Sequence, residues 1–246
     1  MTYCLSLHCR EGLAFFSDSR TTAGVDNITV HPKMRVYERH GDRVICLLSS
    51  GNLSVTQSVS TLIDRDLASA EAHTRSILSL PNLYETVRYV GDCLREVRKL
   101  DADALHKAGV DFNVNFLLGG QIAGQEPEIY QIYPAGNAIH ASRESPFLQI
   151  GELKYGKPIL DRGFTFETPL AEAVKYGLLS LDATAKSNLS VGTPFEMFCY
   201  PVDSLAAVHR RKFEENDPYL RTVRERWQEG LIRLVRDIPA IEGLRS

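Results

Sequence analysis

The sequence has no paired cysteines. Its five, Cys4, Cys9, Cys46, Cys93 and Cys199, are scattered, odd in number and free of any Cys-x-x-Cys spacing. That pattern excludes a disulfide framework and a thiolate zinc site, and suits reduced thiols in a cytosolic protein. The seven histidines show no ligand spacing either, so no metal and no cofactor is expected. There is no cationic excess: the formal charge is −3, which removes the electrostatic case for nucleic acid or an anionic membrane as partner. No apolar run approaches the roughly 20 residues that span a bilayer, and the N-terminus carries no basic segment leading into an apolar one. Internal repeats and low-complexity tracts are missing too. These absences predict a soluble, cytoplasmic protein.

What is present is an ordinary globular composition, 43% hydrophobic and 24% charged over 246 residues, enough for one large domain or two small ones. We read residues 1–208 as the main domain and 209–246 as a charged, helical C-terminal extension of the same globular unit.

The chain is organised around its first two dozen residues. A threonine follows the initiator methionine directly, and methionine is usually trimmed before a small residue. Thr2 would then carry a β-hydroxyl beside a free α-amine, a nucleophile next to its own base. The amine pKa lies near ~8, so much of it is available as a base around neutrality. Strand-like runs follow over Thr2–Cys9 and Leu13–Phe16, ending at Ser17-Asp18-Ser19-Arg20 and a small-residue turn through Gly24. Cys4 shares a strand face with Thr2, which admits it as an alternative nucleophile. The simpler reading is a small buried apolar residue. Cys4, Ser6 and His8 alternate with Tyr3, Leu5 and Leu7, so part of that face is expected to border a cavity.

Further along, Met34–Arg39 and Arg43–Ser49 read as a hairpin over Gly41-Asp42. A helix is predicted from about Asn52 on the stripe Val55, Val59, Leu62, Ile63 and Leu67, and a longer one on Leu83, Val87, Val90, Leu94 and Val97. The period then shortens to two over Phe112–Ile122, Glu128–Tyr133, Ala138–Ala141 and Phe147–Ile150. Helical patterning returns over Glu152–Leu160 and from Pro169 to about Lys186, with Thr168 as the cap. A last strand, Phe195–Val202, precedes a charged helix striped by Leu220, Val223, Trp227, Leu231 and Leu234. Sets of strands divided by helix pairs do not make a parallel βαβ sheet. They predict an α+β fold, a four-layer αββα sandwich of two antiparallel sheets with helices outside.

Several landmarks now stand in order. A threonine opens the first strand, Asp18 sits in an acidic turn, Lys33 precedes a strand, and Ser49-Ser50-Gly51 precedes a helix. Leu117-Leu118-Gly119-Gly120 leads to the Pro127–Gly136 stretch, and Ile150-Gly151 precedes a helix. This set resembles a proteasome β-subunit. The stretches Ile150–Asp161 and Lys186–Gly192 resemble in particular the Anbu group, the bacterial ancestral β-subunits, over roughly residues 2–205.

The resemblance implies an N-terminal nucleophile hydrolase fold, hydrolysis of peptide or other amide bonds, and a homo-oligomer, as a closed ring or an open helical one, whose sites face an interior. It implies Thr2 as nucleophile, Lys33 as the cation beside its hydroxyl, and Asp18 as the partner that keeps Lys33 charged. Gly51 would be an oxyanion donor, Asp182 the carboxylate supporting the amine, and Ser187 or Ser190 a continuation of that network. Without the resemblance, Asp18 reads as a capped turn paired with Arg20, Lys33 as a surface lysine and Gly51 as a strand-to-helix hinge. Two departures stand out: the Asp18-to-Lys33 interval is about one residue short, and Glu152 replaces the serine of the proteasome pattern. The alternative reading is a proteasome-like scaffold that assembles without hydrolysing. An acylase of the same fold differs from the peptidase only in substrate.

Overall fold

The computed structural model describes residues 2–22, 28–69 and 75–242. Met1, Gly24 and part of the connection after the first helix lie outside the described residues. The elements run β1 Tyr3–Cys9, β2 Gly12–Asp18, β3 Arg20–Thr22, β4 Ile28–Val30, β5 Met34–Arg39, β6 Arg43–Gly51, α1 Leu53–Ala68 and α2 Leu83–Lys107. They continue with β7 Val114–Ile122, β8 Glu128–Ile132, β9 Ala138–His140, β10 Phe147–Gly151, α3 Lys157–Gly163, α4 Leu170–Ser187, β11 Phe195–Pro201, β12 His209–Phe213 and α5 Pro218–Asp237. The helix starts follow from local chemistry. Asn52 and Asn82 turn their side-chain carbonyls onto the free N–H groups at the starts of α1 and α2, each such cap being worth about 1 kcal/mol.

Two five-stranded antiparallel sheets form, in the orders β10-β1-β2-β11-β12 and β5-β6-β7-β8-β9. Their strands are apolar on both faces because each sheet is covered twice. In β6, Ile45 and Leu47 face α1 and α2, while Val44, Cys46 and Leu48 face the other sheet. In β2, Ala14 and Phe16 pack under α4, while Leu13 and Phe15 fill the space between the sheets. Three apolar layers, helix–sheet, sheet–sheet and sheet–helix, therefore make the four-layer αββα sandwich, the α+β architecture read from the sequence.

Four expectations change. The face carrying Cys4 and Ser6 is packed rather than open: both are fully buried, and Cys4 belongs to the inter-sheet core. Burial holds the Cys4 thiol well above its usual pKa, which leaves it protonated and inert. The helix read from Glu152 begins only at Lys157, and α4 is led by Pro169 rather than by Thr168. The charged C-terminal stretch is not purely helical. It opens with β12, the edge strand of the first sheet, whose exposed His209, Arg210, Arg211 and Lys212 deter pairing with another chain.

His8, at the end of this first strand, is half-buried with its ring edge-on to Phe166 at 5.1 Å. Burial, with His140 and Arg143 nearby, lowers its pKa to about 4, against ~6.5 in an unfolded chain. Between those values the unfolded chain takes a proton that the folded one refuses, so stability falls as pH drops through that window. His8→Leu is expected to flatten the loss. Urea midpoints at pH 7 and pH 5 check this; an unchanged difference between the two midpoints would rule His8 out as its source.

Candidate active site

Thr2 lies immediately before β1, at the mouth of a cleft of about 200 Å³ lined also by Lys33, Ser49, Ser50 and Gly51. Its carbonyl accepts the Glu152 N–H at 2.8 Å, which continues the β1–β10 ladder past Gly151. Gly151 has φ +89°, and a β-carbon there would overlap the Thr2 carbonyl oxygen. Only glycine allows the approach that pins Thr2.

Asp18, the last residue of β2, sits behind Thr2. Its Oδ1 accepts the Tyr3 N–H at 3.0 Å and Lys33 Nζ at 2.8 Å. Lys33 Nζ also donates to the Arg20 carbonyl at 2.6 Å. The pair is out of solvent, with Asp18 0% and Lys33 8% exposed. Burial raises the Asp18 carboxyl pKa and the Lys33 ammonium pulls it back. One carboxylate oxygen thus joins the backbone beside Thr2 to the tip of the lysine.

Gly51 ends β6 with φ +106°, and a β-carbon would run into the Asn113 carbonyl oxygen. The requirement for glycine comes first from the neighbouring strand, since Gly51 is paired with Val114 on β7. Gly51 also lines the cleft.

Thr2, Asp18, Lys33 and Gly51, spread over 50 residues of chain, are therefore brought together. The other three are not. Asp182 on α4 accepts Arg224 Nε of α5 at 2.6 Å and lines a separate groove with Trp227, Leu231 and Ile232. Ser187 is exposed at the end of α4, and Ser190 donates its N–H to Asn188 Oδ1 at 2.9 Å.

Two sets of contacts were not read from the sequence. Glu152, nearly buried, accepts Asn188 Nδ2 at 3.0 Å and the Lys154 N–H at 3.1 Å. Behind Thr2, the Tyr3 hydroxyl meets Ser180 Oγ at 2.6 Å and accepts from Gln149 Nε2, fixing the first strand residue against β10 and α4. Among the described residues no cluster of three or more His, Cys, Asp and Glu side chains could hold a metal, and no helix is long and apolar enough to cross a membrane.

Two stacked antiparallel sheets between helix layers, with residue 2 at the lip of a cleft and an acid–lysine pair behind it, define a proteasome β-subunit-like protein of the N-terminal nucleophile hydrolase fold. Comparison with protein-family models and with curated proteins finds no match. Among solved structures, the chain is similar to Anbu (ancestral beta-subunit) from Yersinia bercovieri, with 40% identity and TM-score 0.91, covering 99% of this chain and 100% of that one. It is similar at 40% identity and TM-score 0.92 to the helical assembly of the Anbu complex from Pseudomonas aeruginosa, over 98% of each chain. Anbu from Hyphomicrobium sp. strain MC1 is also 40% identical, at TM-score 0.90 over 98% and 99% of the two chains. The chain belongs to the Anbu family.

Proposed function

We propose that this chain is an N-terminal threonine hydrolase that cleaves peptide or other amide bonds through an acyl-enzyme on Thr2, within a homo-oligomer. The observation that carries the reading is Asp18 Oδ1, held at once by the Tyr3 N–H and by Lys33 Nζ, directly behind a threonine on an open cleft. Once Met1 is removed, the α-amine takes the hydroxyl proton as Thr2 Oγ attacks the scissile carbonyl. The Lys33 charge favours the forming alkoxide and keeps the amine from holding its proton too tightly. The Gly51 N–H faces the oxyanion, the amine returns the proton to the leaving nitrogen, and water then releases the ester by the same route. No step calls for a cofactor.

The cleft suggests a substrate class. Its floor is Leu47 and Phe116, its α1 wall is Thr56, Gln57 and Ser60, and its ionisable lining side chains, His31, Lys33 and Arg35, are all bases. Arg35 is partly neutralised by Asp64 at 2.6 Å. A residue with an aliphatic stem and an acidic tip fits best, and peptides with glutamate before the scissile bond should be cut about 2–5-fold faster than those with lysine.

Assembly is supported by the C-terminal part of α5 and the residues after it, which expose Leu231, Leu234, Val235, Ile238 and Ile241, apolar side chains that a second copy would cover. The related Pseudomonas aeruginosa chain forms a helical assembly, as a heterologous contact that does not close would produce.

The test is intact mass of the purified protein, before and after an electrophilic β-lactone probe. A chain beginning at Thr2 that gains one acyl group there supports the reading. A chain that keeps Met1, or a free Thr2 that is never acylated, would move the scaffold reading to the front.

A further inference from the structure

Once Met1 is removed, no residue precedes Thr2, and the only covalent hold on it is the peptide unit it shares with Tyr3. That unit is planar, and both of its polar groups are held. The Thr2 carbonyl accepts the Glu152 N–H at 2.8 Å, and the Tyr3 N–H donates to Asp18 Oδ1 at 3.0 Å. Two bonds at opposite edges of a plane still let it rock about the line that joins them. Such rocking moves the Cα atoms of Thr2 and Tyr3 in opposite senses, so whatever fixes Tyr3 also fixes Thr2.

Beyond its place in β1, Tyr3 is fixed by its side chain. The ring is fully buried in the core between the first sheet and α4. Its hydroxyl shares a hydrogen bond with Ser180 Oγ of α4 at 2.6 Å and accepts Gln149 Nε2 of β10. The backbone before α3 closes over the same spot, where a β-carbon on Gly156 would overlap both the hydroxyl and Ser180 Oγ. Burial pushes the phenol up to about 12, so it remains a neutral hydroxyl at working pH. A phenylalanine would fill the core equally well without burying a polar tip. What the hydroxyl adds is direction, because apolar packing is non-directional and a hydrogen bond is not.

We propose that Tyr3 is a positioning residue for Thr2: its hydroxyl, clamped between Ser180 and Gln149, stops the Thr2–Tyr3 peptide from rocking and so sets where the Thr2 hydroxyl and amine stand over the cleft. The consequence for catalysis rests on the hydrolase reading given above. The Asp18 oxygen that receives the Tyr3 N–H also receives Lys33 Nζ, so a rocked peptide would disturb the cation as well as the nucleophile.

The experiment compares the parent protein with Tyr3→Phe and with the triple variant Tyr3→Phe, Gln149→Leu, Ser180→Ala. It measures Thr2 acylation against β-lactone concentration, the hydrogen exchange of the amide at position 3 in isotope-labelled protein, and the melting temperature. Tyr3→Phe is expected to lower the limiting acylation rate about 10- to 100-fold, with little change in the half-saturating probe concentration, and to speed exchange at position 3. Its melting temperature should fall, because Gln149 and Ser180 lose a partner. The triple variant removes those orphaned groups and should recover the melting temperature, while its acylation stays slow and its exchange fast. Should Tyr3→Phe not fold, the triple variant carries the same comparison. Acylation at the parent's limiting rate, in Tyr3→Phe or in the triple variant, overturns the proposal and leaves the hydrolase reading intact. If the parent itself is not acylated, the hydrolase reading fails and the exchange decides: an unchanged rate at position 3 overturns the clamp, and a faster one upholds it.

Discussion

Thr2→Ala is expected to lower amide hydrolysis and probe acylation at least about a thousand-fold, since a removed nucleophile leaves only binding and oxyanion stabilisation. Little else should change. Thr2 is half-buried, its fold contact is through its backbone carbonyl to the Glu152 N–H, and alanine keeps that bond. The far-ultraviolet spectrum, melting temperature and oligomer size of the variant should therefore match the parent's. Thr2→Ser, which retains a hydroxyl beside an amine, should keep measurable activity. Equal hydrolysis by the parent and Thr2→Ala would sink the threonine mechanism, whatever the protein's assembly state.

Lys33→Met should have the largest effect on stability as well as ending catalysis. It strips the cation from a fully buried carboxylate whose Oδ2 already has no hydrogen-bond partner. Oδ1 would keep the Tyr3 N–H. Breaking a buried pair by removing one partner typically costs about 3–5 kcal/mol. The pH dependence has a definite sign. Burial already raises the Asp18 pKa above its unfolded value, and loss of Lys33 raises it further. The folded form of the variant therefore binds the proton more tightly than the unfolded chain does. Its relative stability is greatest below the unfolded pKa of ~3.9 and is lost as pH rises through the folded one. Denaturant unfolding at pH 7 and pH 5 should show a smaller deficit at pH 5. Adding Asp18→Asn to Lys33→Met removes the charge altogether and should restore most of the stability but none of the activity. If the double variant were no more stable than the single one, the buried charge would not be the source of the cost.

Most strands were legible because β1, β2, β6 and β7 are short, largely apolar runs bounded by turn residues, the pattern of strands covered on both faces. The stripes of α1 and α2 are periodic, although Leu67 at the end of the α1 stripe is exposed. β12 was not legible. An edge strand reading His-Arg-Arg-Lys-Phe is exposed at four of five positions, and without a buried face it leaves no period to read. β3 and β4 pair only with each other, three residues apiece, too short for any pattern.

The site divides in the same way. Thr2, Asp18, Lys33 and Gly51 could be named from landmarks in chain order, because each sits where a strand begins or ends and such places carry local marks. Asp182 could not be placed, since its partner, Arg224, is 42 residues away on a helix whose docking onto α4 no local pattern encodes. Glu152 met Asn188 for the same reason. The sequence by itself determined the layers, because burial periodicity and turn chemistry act over a few residues, and its resemblance to the family singled out Thr2, Asp18, Lys33 and Gly51 as candidates. Which carboxylate faces which cation was decided only when the two sheets stacked, because that choice depends on approaches between segments far apart in the chain.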